Sequence, residues 1–385
     1  MDIFGKKMLY KICLTGGPCA GKTTALTKLM EKFSTDFTVI CVPELATLTF
    51  SSGVTIIPSE FTESNHVTMT QSMCQMQINQ EKYYETLASL QKKPVLMIID
   101  RGVPDMFAYC TSETKEEVLD RTGWSLNYIR NDRYDLVIHL VTAALGAESF
   151  YVNDQDEGSN VARSEPPQLA RLLDNNIRKQ WLGHPNYQII DNANPGFNFK
   201  MSRVINAVSN LTGLPGKTFA KKFLLKRGYS MDELAKHGKV VQFTDTITYL
   251  VRNKMDRLDW IVKRIYQDTP YPTYFRIDRI LKEKSCDRIE RHSKLTENNY
   301  YDLTMQIDSR TFPLKKKVLA FYVEKDHRVL QFLIERMRIN GREINTMRVY
   351  KDMGGGDEIF IPGFIEVDKD VTEDDDYFTQ NLAVK

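Results

Sequence analysis

No apolar run in the 385-residue chain approaches the roughly 20 residues a helix needs to cross a bilayer. Any membrane contact is therefore expected to be peripheral. Cysteine is scarce, with six residues and no CxxC or CxxxC pair of the kind that holds a metal. Cys13 precedes a glycine-rich loop, Cys19 lies within it and Cys41 lies near the end of an apolar run, so these read as reduced thiols. A dominant charge is missing too. Lys and Arg number 52 against 50 Asp and Glu, a net charge of +2, so nothing points to nucleic acid as a partner. The first residues, Met1-Asp2-Ile3-Phe4-Gly5-Lys6-Lys7, lack the apolar core of a signal peptide, and a cytoplasmic protein is expected. The remaining composition, 42% hydrophobic and 26% charged, is that of a globular chain long enough for two domains.

What is present centres on Gly16-Gly17-Pro18-Cys19-Ala20-Gly21-Lys22-Thr23, a GxxxxGK[ST] phosphate-binding loop. The β-rich stretch Leu9-Tyr10-Lys11-Ile12-Cys13-Leu14-Thr15 precedes it. Apolar residues at helical spacing follow from Thr24. Small residues let successive N–H groups turn inward around phosphate oxygens, and the helix adds the positive end of its dipole. Residues Gly16 through Thr24 are thus expected to hold GTP or ATP. Lys22 would reach the β- and γ-phosphates, and the Thr23 hydroxyl would ligate Mg²⁺.

The following pattern alternates strand and helix, which predicts a parallel sheet with helices on both faces. Phe37-Thr38-Val39-Ile40-Cys41-Val42 reads as a strand that ends at Pro43-Glu44. A carboxylate there can orient or deprotonate an acceptor hydroxyl, or it can simply be a charge at a helix start. Residues 65–92 read as a helix whose Met69, Met73, Met76, Ile78, Tyr83, Tyr84 and Leu87 pack a core. Pro94-Val95-Leu96-Met97-Ile98-Ile99-Asp100 has the shape of a Walker B strand, with Asp100 toward Mg²⁺ and Arg101 able to pair with phosphates or Glu44. Tyr134 to Val141 reads as a further strand. A polar run at 153–160 leads to Arg163, Arg171, Arg178 and Lys179, which suit either a lid over phosphates or a solvated basic helix. Asp191-Asn192 ends the last strand as a candidate contact to the base or lid.

The phosphate loop, Val42-Pro43-Glu44, Asp100-Arg101-Gly102, Arg163-Ser164-Glu165 and Trp181-Leu182-Gly183-His184-Pro185 together resemble the AAA-type, kinase-like P-loop domain of the ribosylnicotinamide-kinase group. The resemblance covers about residues 8–212, taken as the first domain. It implies binding or catalytic roles for Lys22, Thr23, Glu44, Asp100 and Arg101.

Gly213-Leu214-Pro215-Gly216 reads as a linker. Beyond it, in a second domain of residues 217–385, the pattern turns to successive strands at 219–225, 240–250, 260–266, 274–281, 300–307, 318–323 and 360–371, with 329–338 either strand or helix. An antiparallel barrel or strongly curved sheet is expected. Interleaved basic residues, among them Lys222, Lys226, Arg276, Arg279 and Lys316, would make an anion pocket if they line one face, and an ordinary basic surface if they do not. The acidic stretch from Glu366 to Asp376 could pack on them or stay solvated. Gly354-Gly355-Gly356 reads as a loop tip.

This half resembles the CYTH triphosphate-tunnel fold. Thr218-Phe219-Ala220-Lys221-Lys222 stands where that family has ExExK, and Phe275-Arg276-Ile277-Asp278-Arg279 resembles its basic tunnel strand. Thr218 and Ala220 replace the metal-holding glutamates, so triphosphate hydrolysis is not expected here. A phosphoinositide head group is the better ligand. The two halves in this order resemble the TRPL translocation defect protein family. The resemblance implies a GTP- and phosphoinositide-binding protein acting in endosomal trafficking of membrane-protein cargo, peripherally attached to membranes. The open alternative is a nucleoside-type small-molecule kinase or weak NTPase.

Overall fold

The computed structural model describes residues 8–55, 61–151, 166–192, 196–214, 219–251, 257–269, 271–280, 289–351 and 359–384. Arg163, the run at 153–160, Thr218 and the glycines at 354–356 lie outside them. Two compact units divide between Ile205 and Asn206.

The first unit is built on near-continuous apolar runs, the mark of strands buried on both faces. β1 (Leu9–Gly16) lies between β3 (Val95–Asp100) and β4 (Leu136–Leu140), with β2 (Thr38–Val42) beyond β3 and β5 (Tyr187–Ile190) beyond β4. All four pairings are parallel, giving the order β2-β3-β1-β4-β5. Parallel pairing needs crossovers, and α1 (Lys22–Phe33), α3 (Glu63–Ser89) and α5 (Pro167–Trp181) lie within three of them. Short α2 (Leu45–Ser51) follows β2, α4 (Ser112–Thr122) follows β3, and α6 (Phe197–Thr212) runs across the division. The parallel α/β sheet of a P-loop NTPase is present.

α3 departs from expectation. Met76 and Tyr83, read as core, are 52% and 61% exposed. The helix instead buries Gln77, Gln80 and Glu81 beside Cys74 and Ile78. A polar stripe is tolerated there because its amides satisfy backbone carbonyls: Gln77 donates to Arg101 O (3.2 Å) and Gln80 to Pro43 O (3.2 Å).

The second unit is a nine-stranded antiparallel sheet in the order β10-β9-β8-β7-β11-β12-β13-β6-β14. Its strands are β6 (Phe219–Leu225), β7 (Val241–Tyr249), β8 (Arg257–Tyr266), β9 (Thr273–Ile280), β10 (Ile289–Leu295), β11 (Leu314–Lys325), β12 (Arg328–Ile339), β13 (Arg342–Lys351) and β14 (Val367–Asp370). Asp326-His327 and Asn340-Gly341, all at positive φ, make the two-residue turns of the β11–β12 and β12–β13 hairpins. The segment at 329–338 is thus strand. The expected barrel is not closed: pairing runs from β10 to β14, and among the described residues no strand joins these two edges. β14 is only four residues long and its register on β6 shifts between Val367 and Lys369. Of the strand expected at 360–371 only β14 forms, after Pro362, which has no N–H for a ladder.

Of residues 300–307, expected as strand, 300–304 lie in α8 (Glu297–Thr304), and only Ile307 makes a β-bridge, to Leu250. The Thr296 hydroxyl accepts from Asn299 N at 3.2 Å, capping the helix, and Tyr300 packs on Tyr274. The cap and that packing override the β preference of the tyrosines. Thr296→Ala is expected to destabilise α8 by about 1 kcal/mol. Hydrogen exchange on the whole chain should show faster exchange at the α8 amides with the sheet amides unchanged.

Candidate functional site

The loop from β1 to α1 is shaped by close approach. A side chain at Gly16 (φ +141°) would put its Cβ 2.1 Å from Leu140 O, so only glycine lets the loop start against β4. Gly21 caps α1 without a side-chain hydrogen bond, which leaves capping of the first turn to a ligand. Lys22 folds back and donates to Gly16 O and Gly17 O, both at 3.4 Å. Burial, then the Arg101 charge, lowers its pKa. Thr23 and Thr24 are exposed at the mouth.

The loop is held from one side by a residue that sequence reasoning missed. Asp174 of α5 is wholly buried, and its Oδ1 accepts from Gly17 N (3.0 Å) and Thr142 N (3.0 Å). His139 Nε2 lies 3.1 Å from the same oxygen, and a carboxylate partner requires that Nε2 carry the proton. Arg178 Nε is 3.2 Å from Oδ2. Burial pushes the Asp174 pKa up, but His139, Arg178 and the Gly17 N–H outweigh it and hold it at about 2. Thr142 completes the clamp by donating to Pro18 O (2.5 Å), while Ala143 N donates to Cys19 O (3.3 Å). No sequence motif marks Asp174, because its partners lie 32 and 157 residues away.

On the other side, Glu44, Asp100 and Arg101 meet at the ends of β2 and β3. Arg101 Nε donates to Glu44 Oε1, and Thr47 donates to Glu44 Oε2 at 2.9 Å. Burial opposes ionisation of Glu44, but Arg101 and Lys22 keep its pKa below the usual value. Arg101 takes a left-handed backbone (φ 68°), costly for a non-glycine residue. Its N–H donates to Leu14 O (3.1 Å), and its carbonyl accepts from Gln77. Asp105, fully buried, accepts from Thr15 (2.7 Å) and from the Trp181 indole.

Asp100 Oδ1 is a buried oxygen with no hydrogen-bond partner among the described residues. Burial raises its pKa and Lys22 opposes this. An orphaned acceptor at the end of β3 and an exposed Thr23 hydroxyl at the start of α1 are donor types that fit hydrated Mg²⁺, which keeps waters and substrate phosphates as its other ligands. No group of three or more His, Cys, Asp or Glu among the described residues could hold a metal.

The lid expectation divides. Arg171 is half-exposed, donating to Ala144 O and to Glu148 Oε1 (2.8 Å). Arg178 lies on the same face of α5 but is buried against Asp174 and does not reach solvent. Asp191 and Asn192, the expected base- or lid-side contacts, are engaged within the protein: Asp191 pairs with Arg203 (2.7 Å), and the Asn192 amide donates to Thr142 O and Leu145 O, each at 2.7 Å.

In the second unit, register decides which basic residues share a face. Arg348 pairs with Lys222, Thr346 with Leu224, and Val318 with Glu335. Lys222, Arg348, Glu335 and Lys316 thereby fall on one face of four adjoining strands. Glu335, buried, accepts from Lys316 (2.8 Å) and lies 3.4 Å from Arg348. Against burial, Arg348, Lys316 and Lys222 hold its pKa well down. Lys222 donates to Tyr377 O (2.7 Å), and burial lowers its pKa to about 8. Arg279 shares this face and pairs with Glu290. Arg276 does not. Three residues from Arg279 along a strand, it lies on the opposite face, bound to Asp259 at 2.7 Å. Lys226 is exposed just past the end of β6.

A family model described as an AAA domain matches residues 11–196. With the loop geometry above, that match makes the span a P-loop NTPase-type nucleotide-binding domain. No curated protein matches the chain. Two solved structures resemble it loosely. Thymidylate kinase from Ehrlichia chaffeensis is 13% identical at a TM-score of 0.33, over 53% of this chain and 99% of that one. The PH1819 protein from Pyrococcus horikoshii OT3 is 11% identical at a TM-score of 0.28, over 36% and 80%.

Asp174→Asn removes the charge that answers His139 and Arg178, and breaking such a buried pair costs about 3 kcal/mol. The variant should show a lowered Tm in thermal unfolding and, at temperatures where it remains folded, weaker nucleotide binding by calorimetry.

Proposed function

We propose that the chain is a Mg²⁺-dependent nucleotide-binding regulator whose second unit binds a phosphorylated lipid head group. The observation that carries the nucleotide half is the loop itself: a glycine cradle clamped by Asp174, Lys22 at its centre, and an orphaned Asp100 oxygen nearby. Lys22 binds the β- and γ-phosphates, Gly16 through Thr24 wrap them, and Thr23 and Asp100 hold the metal through its water shell. Bound Mg²⁺ supplies charge neutralisation at the phosphates. Arg171 acts from the lid side; Arg163, expected to act with it, lies outside the described residues. GTP is the preferred nucleotide of this proposal, with ATP the competitor.

The head-group half is supported by the Lys222, Lys316 and Arg348 cluster, three cations around one carboxylate. Such an excess favours a multiply charged phosphate. Lys226 and Arg279 extend the cationic side, and Arg276 is left out because its strand position turns it away. Peripheral attachment to endosomal membranes and a role in trafficking of membrane-protein cargo complete this reading. No helix is long and apolar enough to cross a membrane among the described residues.

The Glu44–Arg101 pair favours a second reading, phosphoryl transfer to a small hydroxyl-bearing acceptor. Glu44, kept ionised, would take the hydroxyl proton while Arg101 orients the acceptor.

Three outcomes are expected. Lys22→Ala should lose nucleotide binding by about two orders of magnitude, a few kcal/mol of charge-assisted contact. Calorimetry with Mg-GTP and Mg-ATP measures it, and unchanged affinity would overturn the site. Lys222→Met should abolish retention on phosphoinositide vesicles without affecting nucleotide affinity. Because Lys222 titrates near 8, head-group affinity of the unsubstituted protein should fall as pH rises from 7 to 9. Rapid phosphate transfer to a nucleoside, lost in Glu44→Gln, would instead select the kinase reading.

A further inference from the structure

We propose that Phe197 is the platform on which the base of the bound nucleotide stacks. The inference rests on the nucleotide-site reading above and names a contact which that reading lacks.

Strand order sets the direction of the ligand. Glu44, Asp100 and Arg101 stand at the ends of β2 and β3, to one side of β1 and its loop. β4 and β5 lie to the other side, and α6 follows β5. A nucleotide whose terminal phosphate faces the Mg²⁺-binding and acceptor groups must direct its nucleoside the opposite way. There the ring of Phe197 rests against the last glycine of the loop. A Cβ added at Gly21 would lie 2.8 Å from Phe197 Cε2 and 3.1 Å from Cζ. Met201 Cε, one helical turn along α6, would be 3.8 Å from the same point. Phe197 is nonetheless 49% exposed. One edge of the ring is fixed on the phosphate loop while much of the residue remains open to a ligand.

The polar groups nearby are otherwise engaged. The Asn192 amide donates to Thr142 O and Leu145 O, and its oxygen accepts from Lys200 Nζ at 2.7 Å. Lys200 also donates to Val141 O (2.6 Å), and Asp191 pairs with Arg203. These side chains hold the end of β5 to the end of β4. They do not present donors and acceptors to a base edge. Among the described residues, what the protein offers on this side is an aromatic face. Stacking uses the π-face that every base has, so adenine and guanine should benefit alike from Phe197.

The test separates the base from the phosphates. Binding of Mg-ATP, Mg-GTP and Mg-tripolyphosphate, which has no base, is measured by calorimetry on the full chain and on Phe197→Ala and Phe197→Trp. Phe197→Ala should weaken ATP and GTP by about 5- to 150-fold. Tripolyphosphate affinity should stay unchanged, and Phe197→Trp should keep nucleotide affinity near that of the unsubstituted protein. An equal loss for tripolyphosphate would overturn the proposal, because the ring would then act only by packing on Gly21. Unchanged nucleotide affinity in Phe197→Ala would overturn it as well. Failure of the unsubstituted protein to bind any of the three probes would reject the nucleotide site itself, and the stacking proposal with it.

Discussion

Asp174 brings four groups from three parts of the chain to one buried carboxylate: the Gly17 N–H of the loop, the Thr142 N–H and His139 of the β4 region, and Arg178 one turn along α5. A buried charge is costly unless it is paired, so these groups are held to one another, with Oδ1 taking the hydrogen bonds and Oδ2 the Arg178 ion pair. The loop must be rigid before a ligand arrives, since its N–H groups can converge on phosphate only if they are already turned inward. The Gly16 contact with Leu140 O and the Thr142 bond to Pro18 O act in the same direction. Everything proposed for Lys22, Thr23 and Phe197 depends on that fixed frame.

The opposite side of the loop follows another logic. Glu44, Asp100, Arg101 and Asp105 are close enough to shift one another, and burial sharpens every interaction among them. Ion pairing satisfies Glu44, but an Asp100 oxygen is left unmatched. α3 supports the group from behind, using glutamines where most helices would use leucine or methionine. A polar helix face seated over strand ends stabilises little by itself. It holds the Arg101 backbone in its strained conformation and so aims the guanidinium at Glu44.

In the second unit, the alternation of side chains along strands does most of the sorting. The cluster of Phe223, Phe321, Phe332, Met347 and Val349 fills one face. The other carries Ile247, Trp260, Phe275 and Met337 together with the buried charges. A one-residue slip would exchange the two sets, so the apolar cluster and the cationic cluster enforce the same register. Lys222, already donating to the Tyr377 carbonyl, would exchange that neutral oxygen for a charged one on binding an anion.

The phosphate loop, the parallel strands, the terminal positions of Glu44 and Asp100 and the change to antiparallel strands past residue 216 were all legible in the chain. Each is set by neighbours within a few residues: glycine at a tight turn, apolar runs, a polar residue where a run stops. Asp174, Phe197 and the polar face of α3 were not legible, because their partners are brought together by sheet order. The same distinction explains the misreadings. Arg178 and Asn192 look available in a linear chain, yet folding buries Arg178 in an ion pair with Asp174 and gives the Asn192 amide backbone carbonyls to bond. Arg276 and Arg279 look alike in composition, but an odd spacing on a strand sends them to opposite faces. Closure of the β sheet depends on where its two edge strands end up, and no local pattern encodes that. Local chemistry thus determined which residues can bind phosphate. The tertiary structure decided which of them are left free to do so, because burial next to a stronger partner removes a side chain from service.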